Sequence, residues 1–282
     1  MTLNHLNRII IPWKGARSIP SLIIMLLILG LMPCAGWAED LKARQIMEKV
    51  DARDDGDNQV SDMEMILIDK NGKKRVRKIR AFSKDKGEDT RRLMFFIEPA
   101  DVEDTAFLTY DFDQSDKDDD QWIYLPALNK TKRIATSDKS GSFMGSDFTY
   151  SDMTKRALDD YDYTLLKEVK VRDADTWLIQ AVPRTKEVID RTGYTKSVFY
   201  VQKDNFMVIR GVHWVKKGKR LKYMDVKKLE RIDGIWVATE MHMTTRKGKT
   251  KLHKTIMTFE NVRFNQGIKE DFFSIRRMEK GL

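Results

Sequence analysis

Cysteine is almost missing from this chain: the single one, Cys34, falls close to the N-terminus. Past that point no disulfide, thiol chemistry or thiolate zinc site can form, so burial and hydrogen bonds alone must hold the fold. Histidine is nearly as scarce. Past the N-terminal segment only His213, His242 and His253 remain. They fall on three different predicted strands without the short spacing of a ligand pair, so ordinary strand histidines are expected and no metal site. Long apolar runs are absent apart from Leu22 to Met32, which is well short of the about 20 residues of a membrane-spanning helix. The Gly-x-Ser-x-Gly elbow, the Walker-type phosphate loop and the Gly-x-Gly-x-x-Gly turn do not occur, which removes the common acyl-transfer and nucleotide-binding signatures. The acidic cluster Asp116 to Asp120 lacks the glycine and terminal glutamate of an EF-hand loop. No catalytic residue and no cofactor is therefore expected.

The N-terminus has the layout of an export signal: a basic stretch with Arg8, Lys14 and Arg17, the apolar run Leu22 to Met32, then small residues ending at Ala38. Cleavage after Ala38 is expected, with a mature chain from Glu39 that works outside the cytoplasm. Pro33 stands before Cys34 where a lipoprotein signal needs a small residue, so lipid attachment there is not expected. The signal carries three of the bases behind the formal net charge of +9. Export argues against nucleic acid as the partner of the remaining surplus. Charge is uneven: Asp101 to Asp120 is strongly acidic with Lys117 as its one base, whereas Lys216 to Arg231 is strongly basic. Each stretch reads either as a solvated face or, for the second, as a basic rim that meets anionic lipid or an acidic partner.

Leu41, Ile46, Met47 and Val50 place one apolar stripe on a short helix ending near Asp54-Asp55-Gly56. The pattern then changes to strands. Met63, Met65 and Leu67 alternate with polar or outward residues, and Asp69-Lys70-Asn71-Gly72 supplies a hairpin turn. The return strand Arg75 to Phe82 is heavily basic, and Leu93, Phe95 and Ile97 share one face of the next. Short strands follow at 106–110 and 121–125. Seven more are predicted at 161–169, 176–182, 197–202, 206–215, 221–229, 235–244 and 252–262, with short turns between most of them. The result is mainly β (α+β), an antiparallel meander in one domain over 39–282, without a propeller repeat.

The strand pattern breaks between Ser137 and Arg156, where small residues are mixed with Phe143, Met144, Phe148, Tyr150 and Met153. A long segment inside a meander is a functional lid or a plug that completes the core. If the sheet curves without closing, an apolar concavity remains, suited by its flexible methionines to acyl chains. The candidate lining is Met63, Met65, Leu67, Leu93, Phe95, Ile97, Trp122 and Tyr124 on the sheet with Phe143, Met144, Phe148 and Tyr150 above it. A hydrolase would instead need carboxylates such as Asp147 and Asp152 to converge with a histidine in one cleft.

Trp122-Ile123-Tyr124-Leu125-Pro126-Ala127-Leu128, then Lys132-Arg133-Ile134 and Phe143-Met144-Gly145-Ser146-Asp147-Phe148-Thr149-Tyr150, resemble the bacterial outer-membrane lipoprotein-sorting protein family, related to the LolA-like periplasmic carriers. Asp233-Gly234-Ile235-Trp236 and Asn261-Val262 extend the resemblance towards the C-terminus. It implies a curved antiparallel β-sheet half-barrel with short helices covering the concave apolar face. It also implies a soluble periplasmic carrier, without enzymatic activity, of lipid or lipoprotein acyl chains between envelope membranes, with transient membrane contact. The lid-locking arginine of the better-known carrier matches no position here. The alternative is an envelope adaptor or scaffold for an inner-membrane exporter of the resistance-nodulation-division (RND) type, its cavity filled by its own helices.

Overall fold

Turn chemistry folds the chain back on itself at nearly every element. At Asp69 to Gly72 the Gly72 amide donates to the Asp69 carbonyl at 3.1 Å, and the Asp69 carboxylate accepts from the amides of Asn71 and Lys73. The computed structural model describes residues 35–114 and 117–282. The apolar run Leu22 to Met32 of the expected export signal, with Cys34, lies outside the described residues.

The first meander comprises β1 (Asn58–Asp69), β2 (Lys74–Lys86), β3 (Asp89–Glu98), β4 (Ala106–Asp111), β5 (Asp120–Leu125) and β6 (Lys130–Arg133). The second comprises β7 (Tyr161–Val171), β8 (Ala174–Pro183), β9 (Tyr194–Gln202), β10 (Val208–Val215), β11 (Arg220–Ile232), β12 (Ile235–Lys247) and β13 (Thr250–Phe264). Among the described residues three α-helices accompany them: α1 (Ala35–Asp51), α2 (Lys186–Thr192) and α3 (Ile275–Lys280). β1 pairs with β13, which fuses the meanders into one 13-stranded antiparallel sheet in the order β6-β5-β4-β3-β2-β1-β13-β12-β11-β10-β9-β8-β7. The sheet is curved and does not close into a barrel.

This order explains the break in the strand pattern. β6 and β7 are consecutive in sequence but lie on opposite edges of the sheet, which, if flat, would be about 58 Å apart at the usual strand spacing. Residues 134–160 therefore cross the whole concave face, made of 3-10 turns and irregular backbone. Within them Ser142 and Thr149 form an antiparallel bridge, and the turn between is left-handed at Met144 (φ 49°) and Gly145 (φ 76°). Gly145 suits that turn, because L side chains enter the region at a cost.

Alternation along the ladders sets one row of residues inward. Met65 stands opposite Met257, Met257 opposite Met241, and Met243 opposite Met224. On the β1–β5 half of this face the crossing segment packs Phe143 and Phe148 against Met63, Met65, Leu67, Ile79, Phe96 and Phe107. On the β7–β9 half α1 covers Tyr163, Ile179 and Phe199 with Ala43, Ile46 and Met47. A third cluster lies on the other side of β3–β5, where Phe273 and Met278 of the C-terminal segment cover Leu93, Phe95 and Leu108.

Three details differ from the sequence reading. β6, α2 and α3 are additional elements. β10 begins at Val208, two residues late, because Phe206 is left-handed (φ 56°). The acidic stretch is not simply solvated: Asp111 is 4% exposed and bonds Arg92 at 2.5 Å, and Asp118 pairs with Lys139, itself 2% exposed, at 2.6 Å.

Candidate functional site

The segment across the concave face is tied down by polar contacts at both ends. Asp147, 4% exposed, is the main tie to β12 and β13. Its amide donates to Thr255 Oγ1 at 2.9 Å; its carboxylate accepts from Thr255 Oγ1 at 2.8 Å and from Thr245, and meets His253 Nδ1 at 2.7 Å. From β5, Gln121 Nε2 donates to the Tyr150 carbonyl at 2.8 Å, and from β2, Arg77 donates to the Met144 carbonyl. Arg77 is thus an arginine tie between sheet and segment, in a role the sequence alone did not locate. Further on, Thr149 and Asp152 form a capping box, and Tyr194 on β9 donates to Asp152 Oδ2 at 2.7 Å. The segment is an anchored plug in this conformation.

The plug does not fill the face. Between Phe148, Asp152 and Met153 and the sheet lies a cavity of about 370 Å³, lined by Met63, Met94, Met153, Met224, Met241, Met243 and Met257 together with Phe82 and Phe259. Methionines dominate because the inward rows of β1, β3, β11, β12 and β13 all present them here. Unbranched thioethers repack around an irregular guest at little cost. His213 closes one side; burial pushes its imidazole down to about 3, so it is neutral at physiological pH, and its Nδ1 lies 2.9 Å from Ser197 Oγ. Gly211 keeps room for that ring, since a Cβ there would lie 3.1 Å from His213 Nε2. A second cavity of about 430 Å³ adjoins the first, with Arg92, Asp152 and Met224 common to both walls. It is more polar and reaches α1 through Met47, Val50 and Asp51.

The residues proposed from sequence divide into two groups. Met63, Met65, Leu67, Phe143, Met144, Phe148 and Tyr150 come together in the cluster under the plug, and of these Met63 and Phe148 line the methionine cavity. Leu93, Phe95, Trp122 and Tyr124 belong to the cluster on the opposite face beneath the C-terminal segment, and Ile97 is 39% exposed. The cause is strand parity: in β3 it is Met94 and Phe96, not their neighbours, that stand beside Phe107 and Ile79. Met94, Met224 and Met257 line the cavity but were missed; the hairpin register would have found them, because each pairs directly with an inward residue.

The histidines do not form a ligand set: His213 and His253 face inward, whereas His242 lies in a groove of about 720 Å³ on the other face with Arg210, Lys227, Arg246, Lys251 and Lys254. Asp147 and Asp152 do each approach a histidine, but in different places. Asp147 is saturated by two threonines and His253. Asp152 and His213 line one cavity without bonding each other, and a ring held near 3 is a weak base at neutral pH. Ser197, 2% exposed, lines neither cavity.

None of the curated proteins compared with the chain matches it. A family model described only as "Uncharacterized protein" matches residues 88–280. Among solved structures, a putative outer membrane lipoprotein-sorting protein domain from Vibrio parahaemolyticus is 31% identical, with a TM-score of 0.77 over 85% of this chain and 99% of that one. A DUF1329 family protein from Desulfovibrio piger is 29% identical, with a TM-score of 0.78 over 85% and 99%. A LolA superfamily protein from Nitrosomonas europaea, 18% identical, shares the fold at a TM-score of 0.63 over 83% of this chain and 98% of that one. With a family model matched over residues 88–280 and 31% identity to the Vibrio protein across 99% of that chain, this open antiparallel half-barrel of LolA-like fold belongs to the same family as that outer membrane lipoprotein-sorting protein domain.

Proposed function

We propose that this protein is a periplasmic carrier that holds an acyl chain in the methionine-lined cavity and passes it between envelope membranes without covalent chemistry. The observation that supports this most is the cavity itself: a half-open, mainly apolar space left between plug and sheet, in a chain similar to an outer membrane lipoprotein-sorting protein domain. Burial of a chain there gains roughly 0.8 kcal/mol per methylene, so a guest of ordinary acyl length is held by the hydrophobic effect alone. The export signal read over residues 1–38, with cleavage near Ala38, supports a mature domain 39–282 that works in the periplasm. The convex basic groove with Lys227, Lys251 and Lys254 suits brief contact with anionic headgroups.

An adaptor for an RND-type exporter would need no internal space, and the cavity favours the carrier. Native mass spectrometry after gentle purification, with titration of a fluorescent fatty-acyl probe, tests the reading. Co-purified lipid and saturable probe binding that Met241→Glu abolishes are expected. Absence of both lipid and probe binding in a folded protein would reject it.

A further inference from the structure

Three residues around the second cavity carry buried donor atoms with nothing to donate to. Arg53 Nε, Arg156 Nη1 and Tyr163 Oη are buried without a hydrogen-bond partner among the described residues, and all three residues line this cavity. Buried donors of this kind are nearly always satisfied, so an unfilled set in one cavity marks a place for an acceptor. The other cations of the cavity are already engaged: Arg92 with Asp111 at 2.5 Å, Arg191 with Asp160, Lys155 with Asp55 at 3.7 Å, and Lys117 over the Phe112 ring at 3.4 Å. The acids do not claim the two arginines. Asp152 accepts from Tyr194 and from the Thr149 amide. Burial, helped by the charge of Asp111, pushes Asp51 and Asp119 up.

Arg156 is also pre-set. Its guanidinium lies 4.9 Å from the Tyr161 ring centre and 4.6 Å from that of Phe199, so two aromatic faces fix its plane. Burial holds Arg53 below its ordinary value and outweighs the opposing charge of Asp55, as expected of a guanidinium partly withdrawn from water. Because Met224 and Asp152 stand on the wall between the two cavities, a tail among the methionines would leave its polar end facing these donors.

We propose that the second cavity is a headgroup site, which selects acyl ligands ending in an anion, a carboxylate or a phosphate, through Arg156 and Arg53 with the Tyr163 hydroxyl as a further donor. Planar guanidinium forks match both anions in two-pronged geometry. The proposal rests on the reading of the methionine cavity as the acyl site.

The test compares two fluorescent probes of one chain length, a fatty acid and its methyl ester, with inorganic phosphate alone as a third arm. The intact protein is expected to bind the acid about tenfold or more tighter than the ester. Arg156→Gln and Arg53→Gln should remove that preference by weakening the acid and sparing the ester. Arg156→Lys, which keeps a cation over the two rings, controls for folding, and each variant is first shown to melt like the parent. Equal affinity of the intact protein for acid and ester overturns the headgroup site while leaving the acyl cavity standing. So does equal loss of both probes in folded variants. Arginine-dependent binding of inorganic phosphate without any acid preference assigns the donors to a free anion and also overturns it. Failure of the intact protein to bind either probe removes the carrier reading and this proposal together.

Discussion

Asp147 and His253 meet at 2.7 Å, carboxylate to ring Nδ1, and this pair joins the plug to strand β13. The two ends of the bond are not equivalent. Asp147 also binds Thr245 and Thr255, whereas His253 is only partly buried. Asp147→Ala should therefore cost about 3 kcal/mol, by leaving several polar groups without partners. His253→Ala should cost about 1 kcal/mol, because both threonines still hold the carboxylate. Urea denaturation of the two variants gives the comparison, and equal losses would contradict the asymmetry.

His213 gives a pH dependence of definite sign. Its folded-state value of about 3 lies below the ordinary 6.5, so the unfolded chain takes up the proton first. The stability it supports is complete above pH 6.5 and is lost as pH falls towards 3, by at most about 1.4 kcal/mol per pH unit. Asp119 acts oppositely: its value is raised from 3.8 to about 6, so between those values acid favours the folded state through it. His213→Gln should thus flatten the acid side of the stability curve relative to the parent. Parallel curves would show that the imidazole is not held neutral.

Phe143 and Met241 separate packing from binding. Phe143 is fully buried among Phe96, Phe107 and Tyr150 and does not line the methionine cavity, whereas Met241 is partly buried and lines it. Phe143→Ala should cost about 3 to 5 kcal/mol, with acyl-probe affinity per folded molecule little changed. Met241→Ala should cost less and weaken the probe more. Thermal melts beside probe titrations read out both quantities.

Arg77 bonds the Met144 carbonyl at the left-handed turn of the plug. Arg77→Ala should cost about 1.5 to 3 kcal/mol, the range for a hydrogen bond to a charged group. Hydrogen exchange should rise over residues 143–153 before it rises elsewhere. Unchanged exchange there would mean that Asp147 and Gln121 hold the plug without it.

The ladders were legible in the sequence because each hairpin carries its own signal. Asn71-Gly72 and Asp233-Gly234 fix turns, and period-two alternation fixes the strands around them. The plug was legible as a break in that pattern. The face of β3 and β5 was not. Leu93, Phe95, Trp122 and Tyr124 alternate as cleanly as Met94, Phe96, Gln121 and Ile123, since both sides of this part of the sheet are covered, one by the plug and one by Phe273 and Met278. Periodicity locates a buried face but cannot rank two of them. Nor could it show Arg156 between Tyr161 and Phe199, because that site joins the plug's end to the next strand, β7, and to β9 some forty residues on.

The pairing of β1 with β13 bears on how the molecule assembles. Among the described residues every other ladder joins strands adjacent in sequence. Such contacts close short loops and form quickly, whereas a contact between chain-distant strands carries a large entropic cost. The slow part of folding is thereby concentrated in one seam and in the segment that straps the two meanders together. The methionine cavity lies across that seam, with Met63 on one side and Met257 on the other. The container is complete only when the last ladder has zipped, so a half-folded chain offers no acyl site, and protection at the β1–β13 amides should appear together with probe binding during refolding.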